Sequence, residues 1–106
     1  MNKVVRLMEY RRKAPFVHFT RAELGQILTV YSRHVAQGEW RDYAIDHDPK
    51  QARFHIFRHA HERPLFTVEK RDGPKNRDEP VFAVYSGRNR MIQGPSLMEC
   101  LAVFDK

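Results

Sequence analysis

The sequence predicts an α+β domain in which an N-terminal helix is followed by an antiparallel sheet of four or five strands and a short C-terminal helix packed on that sheet. Before residue 38, apolar side chains recur with the 3.6-residue spacing of one helix face, at Leu24, Ile27, Leu28, Tyr31 and Val35. After residue 40, apolar and polar residues alternate, as in a strand with one solvent-facing side. The chain of 106 residues has room for one core, so we predict a single domain over residues 16–106 behind a flexible basic arm, residues 1–15.

Both ends of the first helix carry sequence signals. Thr20 and Glu23 have the spacing of a capping box, in which each side chain accepts a hydrogen bond from the backbone of the other. Gly38 stands where a helix often ends, because glycine adopts a left-handed conformation without a steric penalty. The predicted helix therefore runs from about residue 21 to residue 37.

Two strands, residues 40–47 and 52–59, are predicted to pair around a four-residue turn at 48–51. In the register that this turn sets, one face is apolar and belongs to the core, with Tyr43, Ile45, Ala52, Phe54 and Ile56. The other face pairs Trp40 with His59, Asp42 with Phe57, Ala44 with His55, and Asp46 with Arg53. The Asp46/Arg53 pair favours this register, whereas the Arg41/Arg58 pair of like charges counts mildly against it.

The rest of the chain continues the sheet. A third strand is predicted at 65–70, a mobile polar loop at 71–80, a fourth strand at 81–86 and a short fifth piece around Met91 and Ile92. Ser96 and Glu99 repeat the capping-box spacing before a helix that ends near residue 104. That helix has fewer than three turns, so it requires docking onto the sheet to be stable.

The composition indicates a basic intracellular protein. Lysine and arginine exceed aspartate and glutamate by 19 to 13, giving a net charge of +6, which favours a polyanionic or acidic partner. The single cysteine, Cys100, excludes an internal disulfide and suits a reducing cytoplasm. Since it lies among apolar residues of the last helix, we expect a buried, inert thiol. No apolar run is long enough to span a membrane.

The sequence contains no catalytic or metal-binding signature, so we expect neither an enzyme nor a cofactor. His55 and His59 are four residues apart on one strand, which places them about 13 Å apart, too far to share an ion. Asp42 and Asp46 are separated by the same distance of about 13 Å, which is too long for paired-carboxylate hydrolysis. Gly-rich phosphate loops and nucleophile motifs are absent from the sequence.

One strand face carries the candidate binding surface. Its residues are Trp40, Arg41, Arg53, His55, Phe57, Arg58 and His59, supplemented by a basic arm with Arg6, Arg11, Arg12 and Lys13. Aromatic rings among cations suit stacking on single-stranded bases, but they are also typical of protein interfaces or of a second covered core. We rank a covered core first, a protein interface second and nucleic acid third. The leading hypothesis is a non-enzymatic binding module for a protein partner or multi-subunit assembly; nucleic-acid binding is the alternative.

The chain resembles a family of short alphaproteobacterial proteins known only as a domain of unknown function. The resemblance runs from about residue 16 to the end. It is clearest in the segment GEWRDYAID, residues 38–46, and in the segment that contains Arg58, Pro64, Leu65, Glu69 and Lys70. It implies a bacterial cytoplasmic setting and brings no activity or catalytic residues.

Overall fold

A computed structural model describes residues 16–59, 62–73 and 79–105. Within these ranges the chain forms helix α1 (Arg21–Ala36), strands β1 (Asp42–His47), β2 (Gln51–Phe57), β3 (Phe66–Arg71), β4 (Val81–Ser86) and β5 (Asn89–Gly94), helix α2 (Leu97–Leu101) and a 3₁₀ turn (Ala102–Asp105). The strands form one antiparallel sheet whose spatial order is the chain order. The predicted α+β architecture is confirmed. The predicted arm, residues 1–15, lies outside the described residues.

Helix α1 begins with the predicted capping box. The backbone N–H of Thr20 donates to Glu23 Oε1 at 2.7 Å, and the N–H of Glu23 donates to Thr20 Oγ1 at 3.1 Å. Lys70, on β3, reaches back to this corner, because its Nζ donates to Glu23 Oε1 at 2.9 Å and to the His18 carbonyl at 2.8 Å. The start of the helix is thereby joined to the middle of the sheet.

Helix α1 ends in a Schellman motif. Gly38 has a φ of +77°, its N–H donates to the Val35 carbonyl at 2.9 Å, and the Glu39 N–H donates to the His34 carbonyl at 2.9 Å. The Trp40 N–H also approaches the His34 carbonyl, at 3.4 Å. Residues 38–40 therefore belong to the folded-back helix end.

The predicted register of the first hairpin is confirmed. Ile45 lies opposite Phe54, and Asp46 lies opposite Arg53, whose Nη1 donates to Asp46 Oδ1 at 3.1 Å. Asp48 closes the turn. Its Oδ1 accepts hydrogen bonds from the backbone N–H groups of Lys50, at 2.7 Å, and of Gln51, at 3.0 Å. These two bonds hold the pKa of the Asp48 carboxyl below its ordinary value.

The predicted position of Trp40 on the outer strand face is wrong. The Arg41 N–H donates to the Phe57 carbonyl at 2.9 Å, one position out of step with the ladder that begins at the Asp42/Phe57 pair. Alternation therefore stops at Asp42, and the Schellman turn directs the indole to the opposite side. Trp40 is 4% exposed and belongs to the core. The same break leaves Arg41 and Arg58 outside the ladder.

Both helices cover the same face of the sheet. Its centre is made by fully buried residues of the interior strands, with Ile27 of α1 and Cys100 of α2 above them; the largest are Phe54, Ile56, Val68 and Val84. On edge strand β1, Tyr43 and Ile45 point to this helix-covered side as predicted, yet they are 41% and 40% exposed. The helices therefore cover the interior strands more completely than β1.

The C-terminal segment docks on the sheet as predicted, but only one of the two hydrogen bonds of the predicted capping box at Ser96 and Glu99 is present. Ser96 Oγ accepts from the Glu99 N–H at 3.2 Å, and the side chains of Leu97 and Leu101 are buried. The α-helix ends at Leu101, and the predicted last turn is a 3₁₀ turn. Within the described ranges, neither helix has the length and apolar character needed to cross a bilayer.

Candidate binding site

A cavity of about 380 Å³ opens beside the C-terminal end of α1. Four rings form its walls, and we call it the aromatic groove: His34, Trp40, Phe66 and Phe104. Aliphatic and thioether side chains complete the lining, from Leu65, Met91 and Val103. Two charged residues, Glu39 and Arg58, also border it. Aromatic walls beside a few placed polar groups are a common form of a ligand or partner site.

The rings of the groove are held against one another. The indole of Trp40 stacks on the His34 imidazole with centroids 4.1 Å apart and planes at 16°. Phe104 meets Trp40 edge to face at 5.0 Å and meets Phe66 in the same way at 5.0 Å. Aromatic pairs in these geometries add stabilisation beyond that of buried area. The walls are therefore preformed rather than assembled by an occupant.

The polar rim of the groove contains one engaged pair and one available cation. His34 Nδ1 lies within hydrogen-bonding distance of Glu39 Oε1, which fixes the imidazole against the indole. Arg58 is exposed and forms no ion pair with any residue in the described part of the chain. A second cavity of about 330 Å³ shares Arg58 and Leu65 with the groove and is also lined by Glu62 and Arg63. Two arginines and one carboxylate therefore border this end of the groove.

The sheet face that points away from the helices forms a second surface, which we call the outer sheet face. At its centre His55 Nε2 lies 2.9 Å from Asp46 Oδ2, and His55 Nδ1 lies 2.9 Å from Thr67 Oγ1. Because a carboxylate only accepts hydrogen bonds, His55 donates through Nε2. In the neutral ring, Nδ1 then accepts from the Thr67 hydroxyl. Burial raises the pKa of Asp46, but bonds from His55 and Arg53 outweigh it, so the pKa lies below its ordinary value.

This carboxylate–imidazole–hydroxyl series resembles the order of groups in an acyl-transfer relay. An oxyanion formed at Thr67 would need preorganised N–H donors nearby. Strands β2 and β4 flank Thr67, and the backbone N–H groups of these interior strands are used in the ladders of the sheet. The series therefore orients His55 on the sheet.

Two arginines of the outer sheet face, Arg53 and Arg71, lie beside carboxylates. Glu69 is only 7% exposed; its Oε2 lies 3.9 Å from Arg53 Nε and its Oε1 lies 3.4 Å from Arg71 Nε. Arg53 is also bonded to Asp46. These two cations therefore offer phosphates less free charge than the sequence suggests, whereas Arg88 on the same face has no ion pair among the described residues.

The structure divides the predicted binding surface between two sides of the sheet. Trp40 and Arg58 line the aromatic groove, whereas Arg53, His55 and Phe57 lie on the outer sheet face. Two further predicted residues lie near the ends of the first hairpin and are exposed: Arg41 and His59, the latter 3.8 Å from Glu62. The four predicted cations of the arm, Arg6, Arg11, Arg12 and Lys13, lie outside the described residues.

Three of the four rings of the groove were not predicted as part of a site: His34, Phe66 and Phe104. The signal that leads to His34 is Gly38, because the Schellman motif returns the chain over the preceding turn and brings Trp40 onto its ring. Nothing in the local sequence brings Phe104 to the same place. No group of three or more potential ligands in the described ranges has the arrangement of a metal site.

Comparison with family models identifies the chain's relatives. A model described as a protein of unknown function, DUF2794, matches residues 17–98. The chain belongs to the DUF2794 family. The DUF2794 match spans the whole sheet and includes Trp40, Arg58 and Phe66, whereas Phe104 lies beyond it. Searches of curated proteins and of solved structures returned no match.

Proposed function

We propose that this DUF2794 protein is a non-enzymatic binding module that takes an acidic segment of a protein partner into the aromatic groove. The observation that carries the proposal is a preformed aromatic cavity with an arginine at its rim, Arg58, that forms no ion pair within the described residues. Aromatic pockets beside arginine are enriched at the energetic centres of protein interfaces. The occupant is expected to insert one aromatic or large aliphatic side chain and to carry carboxylates beside it.

The size of the cavity supports a side chain as the anchor. A volume of about 380 Å³ is at the small end of ligand sites, which suits one residue rather than a large cofactor. Rigid walls also favour binding, because little side-chain entropy remains to be lost when the groove is filled. Met91, which is 43% exposed, provides an adaptable edge.

Charge supports an acidic partner. The net charge is +6. The exposed arginines Arg58 and Arg63, with Glu62, line the second cavity, which adjoins the groove at Arg58 and Leu65. Carboxylates of a partner segment would meet guanidinium groups that have no competing ion pair within the described residues. Such rim contacts mainly accelerate association and weaken as salt is added.

The test is selection of a random peptide library on the full chain, followed by titration of the best peptide. Trp40 is the only tryptophan and lines the groove, so its fluorescence reports occupancy directly. Enriched peptides are expected to combine one aromatic or large aliphatic residue with aspartate or glutamate. Arg58→Glu is expected to weaken binding by a factor of about ten or more, which corresponds to about 1.4 kcal/mol.

Arg21→Glu is the charge-matched control. Arg21 begins α1, about 20 Å along the helix from His34 at 1.5 Å per residue, and it is exposed. If the two charge reversals weaken binding equally, the peptide responds to net charge and the groove is not the site. Peptide selection without an apolar anchor would also contradict the proposal.

Nucleic-acid binding through the outer sheet face is the second candidate. The observation that favours it is that α1 and α2 both pack on the opposite face of the sheet. The half-buried rings of Phe57 and Tyr85 therefore lie beside the arginines of the outer sheet face without a helix over them. Its test is anisotropy of a labelled single-stranded oligonucleotide, with a steep loss of affinity in salt and on Arg53→Gln. A salt-insensitive signal that Arg53→Gln leaves unchanged would exclude this face.

A further inference from the structure

Glu69 is the only polar or charged residue in the described ranges that is buried, with 7% of its surface exposed. It lies on the outer sheet face, on which neither described helix packs. Arg53 lies opposite it on β2, and Ala83, which is 3% exposed, lies opposite it on β4. Glutamate is rarely buried unless it is paired, so each oxygen of this carboxylate is expected to have a donor.

One oxygen of the Glu69 carboxylate lacks that donor. Oε1 is buried and accepts no hydrogen bond from the described residues. The neighbouring guanidinium groups are loosely placed, because Arg71 Nε lies 3.4 Å from Oε1 and Arg53 Nε lies 3.9 Å from Oε2, whereas a charge-assisted hydrogen bond measures about 2.8 Å. Leaving a buried acceptor unbonded is costly, so this oxygen suits a donor that a ligand brings.

A cavity of about 480 Å³ gives a ligand room beside this carboxylate. It is lined by Glu69 and Arg71 and extends over the outer sheet face to Tyr85 and Arg88. The side chain of Arg71 is 57% exposed, and it is not hydrogen-bonded to Oε1. Its guanidinium can therefore turn toward solvent, and admit a ligand to Oε1, without breaking a hydrogen bond to Glu69.

The charges around Glu69 restrict the chemistry of the donor. Three arginines line the same cavity, Arg53, Arg71 and Arg88, so a metal ion or a cationic donor would be repelled. A neutral group with N–H donors avoids this repulsion. Guanine has two adjacent donors on its Watson–Crick edge, N1–H and the N2 amino group, and a carboxylate has two oxygens that accept them side by side.

The rest of the cavity suits the other parts of a nucleotide. Tyr85 is half-buried and lies opposite Thr67, which is two residues from Glu69 and hence about 7 Å along β3. An aromatic ring at that distance is within reach of a purine for stacking. Arg88 is exposed and has no ion pair among the described residues, so its guanidinium is available to a phosphate.

We propose that this cavity binds the guanine of a nucleotide. Glu69 accepts hydrogen bonds from N1–H and the N2 amino group, Tyr85 stacks on the base, and Arg88 binds the phosphate. The proposal rests on the second candidate function for the use of the outer sheet face, and it adds the identity of the base. A free mononucleotide and a guanine within a single strand present the same groups to this site.

Calorimetric titration of the full chain with guanosine, inosine and adenosine monophosphates tests the recognition of guanine. We expect the guanosine nucleotide to bind at least ten times more tightly than the adenosine nucleotide. The inosine nucleotide should lie between them, because it keeps N1–H but lacks the N2 amino group. Equal affinities for the guanosine and adenosine nucleotides, or no binding of either, would overturn the proposal.

Three variants separate recognition of the base from a merely structural role of Glu69. Glu69→Gln should remove the preference for guanosine over adenosine monophosphate, whereas loss of structure would weaken both and leave their ratio unchanged. Arg88→Gln should weaken both by the same factor, because they share the phosphate. Glu99→Gln, at an exposed residue of α2, is the matched control and should keep wild-type affinities. A Glu69→Gln variant that retains the preference would contradict the role of Glu69.

Two tetraribonucleotides that differ only in one guanine or adenine identify the source of the base. Binding of the guanine tetranucleotide more tightly than guanosine monophosphate would assign the site to a single strand. Equal or weaker binding would assign it to the free nucleotide. Salt-sensitive binding of both tetranucleotides with equal affinity would overturn guanine recognition and would leave nucleic-acid binding by the outer sheet face in place.

Discussion

The phenyl ring of Phe54 lies parallel to the phenol ring of Tyr43, with centroids 4.8 Å apart and planes at 10°. Phe54 is completely buried, whereas Tyr43 is 41% exposed. The boundary of the core therefore passes between these two rings, at the junction of β1 and β2. The fully buried side chains of the core lie on the interior strands, and the half-exposed side chains of β1 cover one edge of it.

Replacing Phe54 by alanine tests this boundary. Loss of a fully buried phenyl group leaves a cavity, so the free energy of unfolding should fall by about 3–5 kcal/mol in a denaturant melt. Phe57→Ala makes the same change on the same strand, on the outer sheet face, and should lower it by only about 1 kcal/mol. Equal losses would mean that the two faces of β2 are not distinguished by burial.

The capping box at the start of α1 predicts a smaller effect. Thr20→Ala removes the acceptor for the Glu23 N–H and should lower the free energy of unfolding by about 1 kcal/mol. Thr29→Ala is the matched control, because the Thr29 hydroxyl bonds to the Gly25 carbonyl within the helix. That change should lie within about 0.5 kcal/mol of the wild type. Equal effects of the two variants would argue against a capping role for Thr20.

Asp46 predicts a pH dependence with a definite sign. Burial opposes ionisation of Asp46, but hydrogen bonds from His55 and Arg53 more than compensate, so its folded-state pKa lies below the unfolded value of 3.8. A depressed pKa stabilises the fold fully above the unfolded value, and the stabilisation is lost as the pH falls through the folded pKa. The advantage of wild type over Asp46→Asn should thus be present at about pH 5 and shrink as the pH falls below the unfolded value.

Urea melts of both proteins from neutral to acidic pH make this measurement. The difference should also disappear at every pH when it is compared in an Arg53→Gln, His55→Phe background, since the partners that lower the pKa are then absent. A difference that grows as the pH falls below about 4 has the wrong sign for an ionised Asp46 in the folded state.

Cys100 should be inert in the native protein. Its side chain is 1% exposed, its Sγ lies 3.6 Å from the Phe82 carbonyl, and burial followed by the nearby Glu99 carboxylate raises the pKa of the thiol. The thiolate is the reactive form, so a thiol reagent should label Cys100 at the rate of unfolding. Immediate labelling in buffer, at the rate seen in denaturant, would show that the α2 end of the core opens readily.

The hairpin register could be predicted because several local signals agree there. A turn of fixed length, an alternating pattern and the Asp46/Arg53 pair all specify the same alignment, and the structure has it. Helix α1 was predicted to within one residue for the same reason, since capping residues mark both of its ends. Interactions between residues close together in the chain determine these features, so they can be predicted from one sequence.

The position of Trp40 could not be obtained by extending the strand pattern backwards. Two local rules compete at residues 40 and 41, alternation and the return of the chain after Gly38, and the Schellman hydrogen bonds prevail. The aromatic groove is harder still to predict, because His34, Phe66 and Phe104 are far apart in the chain. Their meeting depends on how the helices sit on the sheet, which no local pattern specifies.

Strand order in this sheet is the order of the chain, so each strand pairs with the one synthesised just before it. Every pairing closes a short loop, which costs little entropy and favours sequential formation of the hairpins. Phe104, in the last 3₁₀ turn, is the final wall to arrive at the aromatic groove. A nascent chain can therefore form a nearly complete sheet before the aromatic groove is complete. Binding in the groove would then report that the whole domain has folded.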